Sequence, residues 1–130
     1  MMRDCAPIVL FTYRRIPIEV MNSLYENSLV EESELFIYSD GFKGESDKQD
    51  VLKVREYVKG IIGFKTVKII EADNNKGLAC SIINGVTEIV NRYGKAIVLE
   101  DDLIVSSDFL EYMNDALNFY KDDERIWSIS

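Results

Sequence analysis

The chain has 130 residues, of which 47% are hydrophobic and 29% are charged, a composition typical of one globular domain. Fifteen Lys and Arg against 23 Asp and Glu give a net charge of -8, which disfavours nucleic-acid binding because phosphates require a basic surface. The absence of histidine excludes Ser-His-Asp and Cys-His nucleophiles and any His-ligated zinc site. Any catalysis must therefore use carboxylates, Lys, Tyr or a metal ion.

The cysteines and the amino-terminal segment bear on the cellular compartment. Cys5 and Cys80 are too few and too far apart for a disulfide framework or a Cys-x-x-Cys metal site, so we predict reduced thiols. The chain begins without the apolar core of a signal peptide, and no stretch approaches the ~20 apolar residues of a membrane span. We therefore expect a cytoplasmic protein without a transmembrane segment. Segments outside this sequence could attach the protein peripherally to the inner membrane.

Five segments of strand length alternate with four segments of helical periodicity. The strand segments are rich in β-branched, aliphatic and aromatic residues and cover 7–13, 35–39, 66–71, 95–99 and a short stretch from 125. The helical segments repeat apolar residues at spacings of three and four and cover 17–29, 51–61, 78–93 and 109–120. Between them lie a polar stretch at 42–50 and a polar loop at 72–77.

The ends of these helices carry recognisable signals. Pro17 suits a first helical turn, Gly63 and Gly94 are placed to end the second and third helices, and residues 106–108 (SSD) can cap the fourth. The alternation predicts a three-layer α/β/α fold with a mostly parallel, Rossmann-like sheet and right-handed crossovers. The last strand coincides with the end of the sequence, which indicates a piece of a longer protein.

Ligands of open α/β sheets bind beyond the carboxyl ends of the strands, so the residues that follow each strand matter most. Glu100, Asp101 and Asp102 follow an apolar strand, and three like charges this close repel one another unless water or a cation screens them. Mg²⁺ and Mn²⁺ take carboxylate oxygens and leave positions for phosphate oxygens. The cluster favours a metal-bound phosphate ligand; the alternative is a solvated acidic loop that caps the next helix.

Other polar residues lie at the same predicted edge. Arg14, Arg15 and Lys76 could contact a diphosphate or a base, although surface cations are common. Asp40 either forms a turn with Gly41 or accepts hydrogen bonds from a nucleobase or ribose. Aromatic residues on the fourth helix and in the last strand are predicted to pack in or beside the core; they are Tyr112, Phe119, Tyr120 and Trp127. Neither a dinucleotide-binding glycine motif nor a P-loop is present.

Five short motifs occur in order at these strand ends: PIVLFTYR at 7–14, YSDG at 38–41, NKG at 75–77, IVLEDD at 97–102 and SDFLEY at 107–112. Together they resemble the GT-A nucleotide-sugar glycosyltransferases, especially the N-acetylglucosaminyltransferase I-like group and the related family-2-type enzymes. The resemblance implies that residues 1–130 form a single GT-A nucleotide-sugar-binding domain, the amino-terminal portion of such an enzyme without its acceptor-binding portion.

The resemblance also implies roles for individual residues. Asp102 closes the Asp-x-Asp-like motif and would ligate Mn²⁺ or Mg²⁺ on the donor diphosphate. Asp101 would approach the ribose or sugar, and Glu100 would flank the sugar. Asp40 would hold the uracil of a UDP-linked donor. Arg14 would contact the base or phosphates, Thr12 would line the base pocket, and Lys76 lies in a loop of the nucleotide site.

The implied function is metal-assisted transfer of a sugar from a nucleoside-diphosphate sugar to a glycan, lipid or protein acceptor. In similar enzymes the catalytic base lies beyond the position of Ser130, so we assign none, and the piece alone could be inactive or self-associate through uncovered sheet. Two alternative functions remain open. One is a sugar-phosphate nucleotidyltransferase, although residues 12–15 (TYRR) do not form its Gly-rich phosphate loop. The other is a non-catalytic α/β interaction module.

Overall fold

A computed structural model describes residues 5–119 and 128–129. They form a parallel five-stranded sheet in the order β3-β2-β1-β4-β5. The strands are β1 (Ile8–Thr12), β2 (Glu34–Ser39), β3 (Thr66–Glu71), β4 (Ala96–Glu100) and the two-residue β5 (Ser128–Ile129). Helices flank this sheet on both faces, which confirms the predicted α/β Rossmann-like class.

The centre of the sheet is its most apolar part. Every residue of β1 is buried, and so are the first four residues of β4, because both strands have a neighbour on each side and helices above and below. β1 pairs in register with both neighbours, so that Leu10 lies between Ile37 and Leu99. This register places the carboxyl ends of β1, β2 and β4 at one edge, where Thr12 lies beside Ser39.

The helices are α1 (Ile18–Tyr25), α2 (Glu45–Lys59), α3 (Leu78–Tyr93) and α4 (Phe109–Phe119), with a short 3-10 turn at Val30–Glu32. Apolar residues of α1, α2 and α4 share one buried cluster with one face of the sheet. α3 supplies Val86 and Ile89 to a smaller cluster on the other face. A side chain at Gly85 would clash with the ring of Phe11, with its Cβ 2.9 Å from that ring, so this glycine lets α3 lie close to the sheet.

The position of α4 departs from the predicted uniform crossovers. From β1 to β3 the chain moves one way along the sheet over the face that carries α1 and α2. It then returns over the opposite face through α3 and continues in the same direction to β5, but α4 lies on the first face. α4 therefore lies on the face opposite to the one expected for a right-handed β4-α4-β5 crossover, the hand that such units almost always have.

Several boundaries differ from the predicted ones. α1 ends at Tyr25 rather than at residue 29, because Asn27 bonds the last carbonyls of the helix, its side chain that of Ser23 and its amide that of Leu24. α2 begins at Glu45, within the predicted polar stretch, and ends at Lys59 before Gly60 rather than at Gly63. Tyr120, Trp127 and the predicted strand start at residue 125 lie outside the described residues.

Some side chains predicted to be buried are exposed. Leu78 is 54% exposed, because it begins α3 at the edge of the sheet. Tyr112 and Phe119 are 67% and 81% exposed, because the buried side of α4 is formed by Leu110, Met113 and Leu117. None of the described helices is long and apolar enough to cross a bilayer. Cys5 and Cys80 do not form a disulfide with each other, as predicted.

Candidate functional site

Two cavities open at the carboxyl edge of the sheet, on either side of the loop that joins β3 to α3. The larger, called here the β1 cavity, has a volume of about 240 Å³, and the smaller, the β3 cavity, about 150 Å³. The β1 cavity is lined by Phe11, Thr12, Tyr13, Asp40, Lys43, Asn75, Gly77, Leu78 and Ser81. The β3 cavity is lined by Tyr38, Ser39, Asp40, Ile70, Glu71, Ala72, Lys76, Ser81, Asn84, Gly85 and Glu88. Asp40 and Ser81 belong to both.

Asp40 holds the loop that separates the cavities. Its side chain is buried, and Oδ1 accepts hydrogen bonds from the amides of Gly41 and Lys76, each at 2.8 Å. Oδ2 accepts from the Gly77 amide at 3.0 Å and from Asn75 Nδ2 at 3.3 Å. A carboxylate offers about four acceptor positions, so neighbouring residues already use them all. A nucleobase could reach this carboxylate only by sharing or replacing one of these bonds.

Gly41 permits the close approach on which this arrangement depends. A Cβ at this position would lie 2.6 Å from the carbonyl carbon of Asn74, closer than side chains tolerate. The YSDG motif therefore combines a carboxylate that binds the loop with a glycine that lets the loop reach it. This motif was identified from sequence, but its intramolecular partners were not.

Arg55, on α2, binds the other side of the same loop. Its guanidinium donates to the Ala72 carbonyl at 2.8 Å, to the carbonyls of Ser39 and Asp40 at 3.3 Å each, and to Ser39 Oγ at 3.0 Å. It also lies 3.9 Å from a carboxylate oxygen of Glu71. Sequence reasoning missed Arg55, because nothing in a helical polar position shows that it faces the ends of two strands.

A second carboxylate, Asp47, orders the loop beside the β1 cavity. It is buried in the first turn of α2 and accepts hydrogen bonds from the amides of Lys43 and Gly44 and from the Tyr13 hydroxyl. The Lys43 amide and these other donors hold the pKa of Asp47 well below its usual range, and the bond to Asp47 raises the pKa of Tyr13. Sequence reasoning missed Asp47, although an acidic residue three positions after Gly44 is a helix-start signal.

The other residues predicted to bind the nucleotide differ in whether they line a cavity. Thr12 is buried at the end of β1, where its hydroxyl donates to the Tyr38 carbonyl at 3.2 Å, and it lines the β1 cavity. Arg14 lines neither cavity; it is exposed and pairs with Asp50 at 2.7 Å. Lys76 lines the β3 cavity. Among the described residues, Lys43 is the one cation that lines the β1 cavity, and sequence reasoning missed it.

The acidic cluster lies at the end of β4, at the same edge of the sheet but outside both cavities. Glu100 and Asp101 are half-buried and Asp102 is exposed. Burial raises the pKa of Asp101, Arg15 opposes this rise, and the charges of Asp102 and Glu100 add to it. Over residues 5–119 and 128–129, no three acidic or cysteine side chains converge in the way that would enclose a metal ion.

The segment after the acidic cluster is fixed from α1. Ser23 Oγ accepts a hydrogen bond from the Val105 amide at 3.0 Å. Asn27, also buried, donates to the Ser106 carbonyl and accepts from the Leu110 amide. These bonds connect residues about 80 positions apart, so neither was visible in the sequence pattern. They hold both the far end of the acidic loop and the start of α4.

Comparison with known families concerns the carboxyl-terminal part of the chain. The family model described as the GNT-I family matches residues 83–130, just over a third of the sequence. The match implies a glycosyltransferase. It is similarity to the N-acetylglucosaminyltransferase I-like enzymes over a short region that includes β4, the acidic cluster and α4. No curated protein matches the chain. The matched region does not include Thr12, Arg14, Asp40 or Lys76.

Proposed function

We propose that this chain binds a nucleoside-diphosphate sugar, with UDP as the expected nucleotide, and serves as the donor site of a glycosyltransferase. The observation that carries the proposal is the position of the Glu100–Asp102 cluster, which lies within the GNT-I match and at the same sheet edge as the β1 cavity. Strand ends of this kind are where α/β sheets bind ligands. The acceptor class, glycan, lipid or protein, stays open.

The β1 cavity is the proposed site of the nucleoside. Its lining combines the apolar side chains of Phe11 and Leu78 with the hydroxyls of Thr12 and Ser81, a mixture that suits a small planar base with hydrogen-bonding edges. Lys43 adds positive charge at this cavity, where the chain as a whole is acidic. Arg14 could turn from Asp50 toward the phosphates, because it is exposed and lies just after β1.

A divalent cation fits the donor set at Asp102. Because no three acidic side chains converge in the described part of the chain, the end of β4 offers one exposed carboxylate rather than a closed cage. Mg²⁺ and Mn²⁺ suit such a site, since they are commonly held by one or two carboxylates together with substrate phosphates and water. Bound there, the ion would supply Lewis-acid stabilisation of the charge that develops on the nucleoside diphosphate as it leaves.

The other acidic residues would act on the sugar. Burial and its two acidic neighbours make Asp101 harder to ionise than an ordinary aspartate, so a cation or a hydroxyl donor beside it would be favoured. Glu100 ends β4 and is half-buried next to Phe11 of β1 in the register of the sheet. We expect these two carboxylates to orient sugar or ribose hydroxyl groups by accepting their hydrogen bonds.

Calorimetric titration of UDP with and without Mn²⁺ tests the proposal. We expect Mn²⁺ to strengthen UDP binding by roughly tenfold or more, because the ion offsets phosphate repulsion at an acidic edge. Asp102→Asn should abolish this gain. Glu56→Gln is the matched control, since Glu56 is exposed on α2 and lines neither cavity, and it should leave the gain intact. UDP binding that is indifferent to both Mn²⁺ and Asp102→Asn would contradict the proposed site.

A further inference from the structure

The loop at residues 72–77 is the common wall of both cavities. Asn75 and Gly77 face the β1 cavity, whereas Ala72 and Lys76 face the β3 cavity. A small displacement of this loop would therefore change the shape of the proposed nucleotide site. The residues that fix the position of the loop need not be the residues that contact a ligand.

Two charged side chains hold the loop at opposite ends. Asp40 binds the amides of Lys76 and Gly77 at the end next to α3. Arg55 binds the carbonyl of Ala72 at the end next to β3. The two residues are also coupled to each other, because Arg55 donates to the backbone carbonyl of Asp40. The loop is thus fixed to the ends of β2 and β3 through one connected set of bonds.

Arg55 itself lies behind the residues that line the cavities. It lines neither cavity, and its side chain is 15% exposed. It bridges Ser39, Asp40 and Ala72, an arrangement that needs the planar, five-donor guanidinium, and a lysine has no such fork. We infer that Arg55 is a positioning residue for the nucleotide: it sets the shape of the β1 cavity by fixing Asp40 and the 72–77 loop.

The part of this inference that concerns affinity rests on the proposed function. The part that concerns the loop does not, because loop order can be measured without a ligand. A purely structural role would lower overall stability and leave local order in the loop unchanged relative to the rest of the fold. A positioning role requires that the loop amides become selectively mobile and that nucleotide affinity falls.

Arg55→Lys is the decisive variant, because it keeps a positive charge and most of the side-chain length near Glu71 but removes the fork. Lys59→Met is the matched control: Lys59 is on the same helix and pairs with Glu71 at 3.8 Å, yet the hydrogen bonds of the loop do not involve it. In the ligand-free protein we expect the Lys76 and Gly77 amides to exchange about tenfold faster in Arg55→Lys, while core amides of β1 change less. Lys59→Met should leave the exchange rates of the loop amides and of the core amides unchanged.

Calorimetry in Mn²⁺ completes the test. We expect Arg55→Lys to weaken UDP binding by roughly tenfold, since supporting residues set the geometry of contacting ones. Arg55→Lys with native loop exchange, or with native UDP affinity, overturns the inference. If Arg55→Lys does not fold, Ser39→Ala, which removes one Arg55 partner, must show a smaller shift in the same amides. Wild-type protein that fails to bind UDP refutes the proposed function, whereas the exchange measurement still decides the role of Arg55 in the loop.

Discussion

Asp47 shows how a single carboxylate can order the loops at the carboxyl edge of a sheet through its hydrogen bonds. It accepts hydrogen bonds from the Lys43 and Gly44 amides and from the Tyr13 hydroxyl, so it joins the start of α2 to the end of β1. Each of these bonds favours the ionised carboxylate, which is why its pKa lies below the usual range. The loop that carries Lys43 into the β1 cavity depends on this charge.

The lowered pKa gives Asp47 a defined effect on acid stability. A carboxylate with a depressed folded-state pKa contributes fully above its unfolded pKa of about 3.9, and the contribution is lost as pH falls toward the folded value. We therefore expect Asp47→Asn to lower the free energy of unfolding at pH 7. The difference between wild type and variant should stay constant down to about pH 5 and shrink below about pH 4. Urea unfolding of both proteins at a series of pH values measures this difference in free energy of unfolding.

Asp50→Asn is the control for this experiment. Asp50 lies one turn further along α2 and forms an exposed pair with Arg14, an interaction of small energetic value. Its substitution should change stability little at every pH. Equal behaviour of the two variants, or a gap for Asp47→Asn that widens in acid, would show that the hydrogen-bonded charge of Asp47 does not stabilise the fold.

The sequence predicted where individual residues lie better than what they contact. Thr12, Asp40 and Lys76 were expected at strand ends that meet at one edge, and they line the cavities there. Three of the four bonds of Asp40, and the position of Arg55, depend on contacts 15 to 37 residues apart, which a local pattern does not encode. The roles of these residues toward a nucleotide and a metal stay predictions.

The start of α4 is capped by a side chain from the loop that follows α1. Sequence reasoning placed the cap in residues 106–108, and there Ser106 donates to Asp108 while the Ser106 carbonyl accepts from the Phe109 amide. The Leu110 amide, however, is bound at 2.9 Å by Asn27 from that loop. Asn27 also donates at 3.1 Å to the Ser106 carbonyl. This single amide side chain therefore sets where the acidic loop ends.

Removing that side chain should loosen α4. We expect Asn27→Ala to lower the free energy of unfolding by about 1–3 kcal/mol, because it leaves the buried Leu110 amide without its partner. Urea unfolding gives the change, and the exchange rate of the Leu110 amide should rise. Asn91→Ala is the comparison, since Asn91 is exposed on α3, and it should change stability by less than about 0.5 kcal/mol. Similar losses in the two variants would exclude a special role for Asn27.

The elements themselves were largely predictable. β3 and α3 have the predicted bounds, because Gly94 adopts the left-handed conformation that ends a helix and the apolar period is strong on both sides of the 72–77 loop. α2 was placed too late, because its first turn is polar and held by Asp47 rather than by apolar packing. The face on which α4 lies was not predictable, since handedness rules favour the other one.

The whole molecule carries a net charge of -8, yet the proposed ligand is an anion. Long-range repulsion from the chain opposes the approach of UDP, while Lys43 attracts it locally at the β1 cavity. The two effects have different ranges. Salt screens charges beyond the Debye length, about 30 Å at 0.01 M and about 8 Å at 0.15 M, so it weakens the long-range repulsion more than a contact inside the cavity.

The sign of the salt effect therefore distinguishes this chain from a basic phosphate binder. Without Mn²⁺, we expect the weak binding of UDP to strengthen between about 0.01 M and about 0.15 M NaCl, whereas phosphate-binding proteins with basic surfaces lose affinity over such a range. Chemical-shift titration measures binding at this low affinity. Uridine is the matched probe, because it is neutral and should bind equally at both concentrations. If UDP binding weakens as NaCl is added, local attraction by Lys43 and Arg14 outweighs the charge of the rest of the molecule.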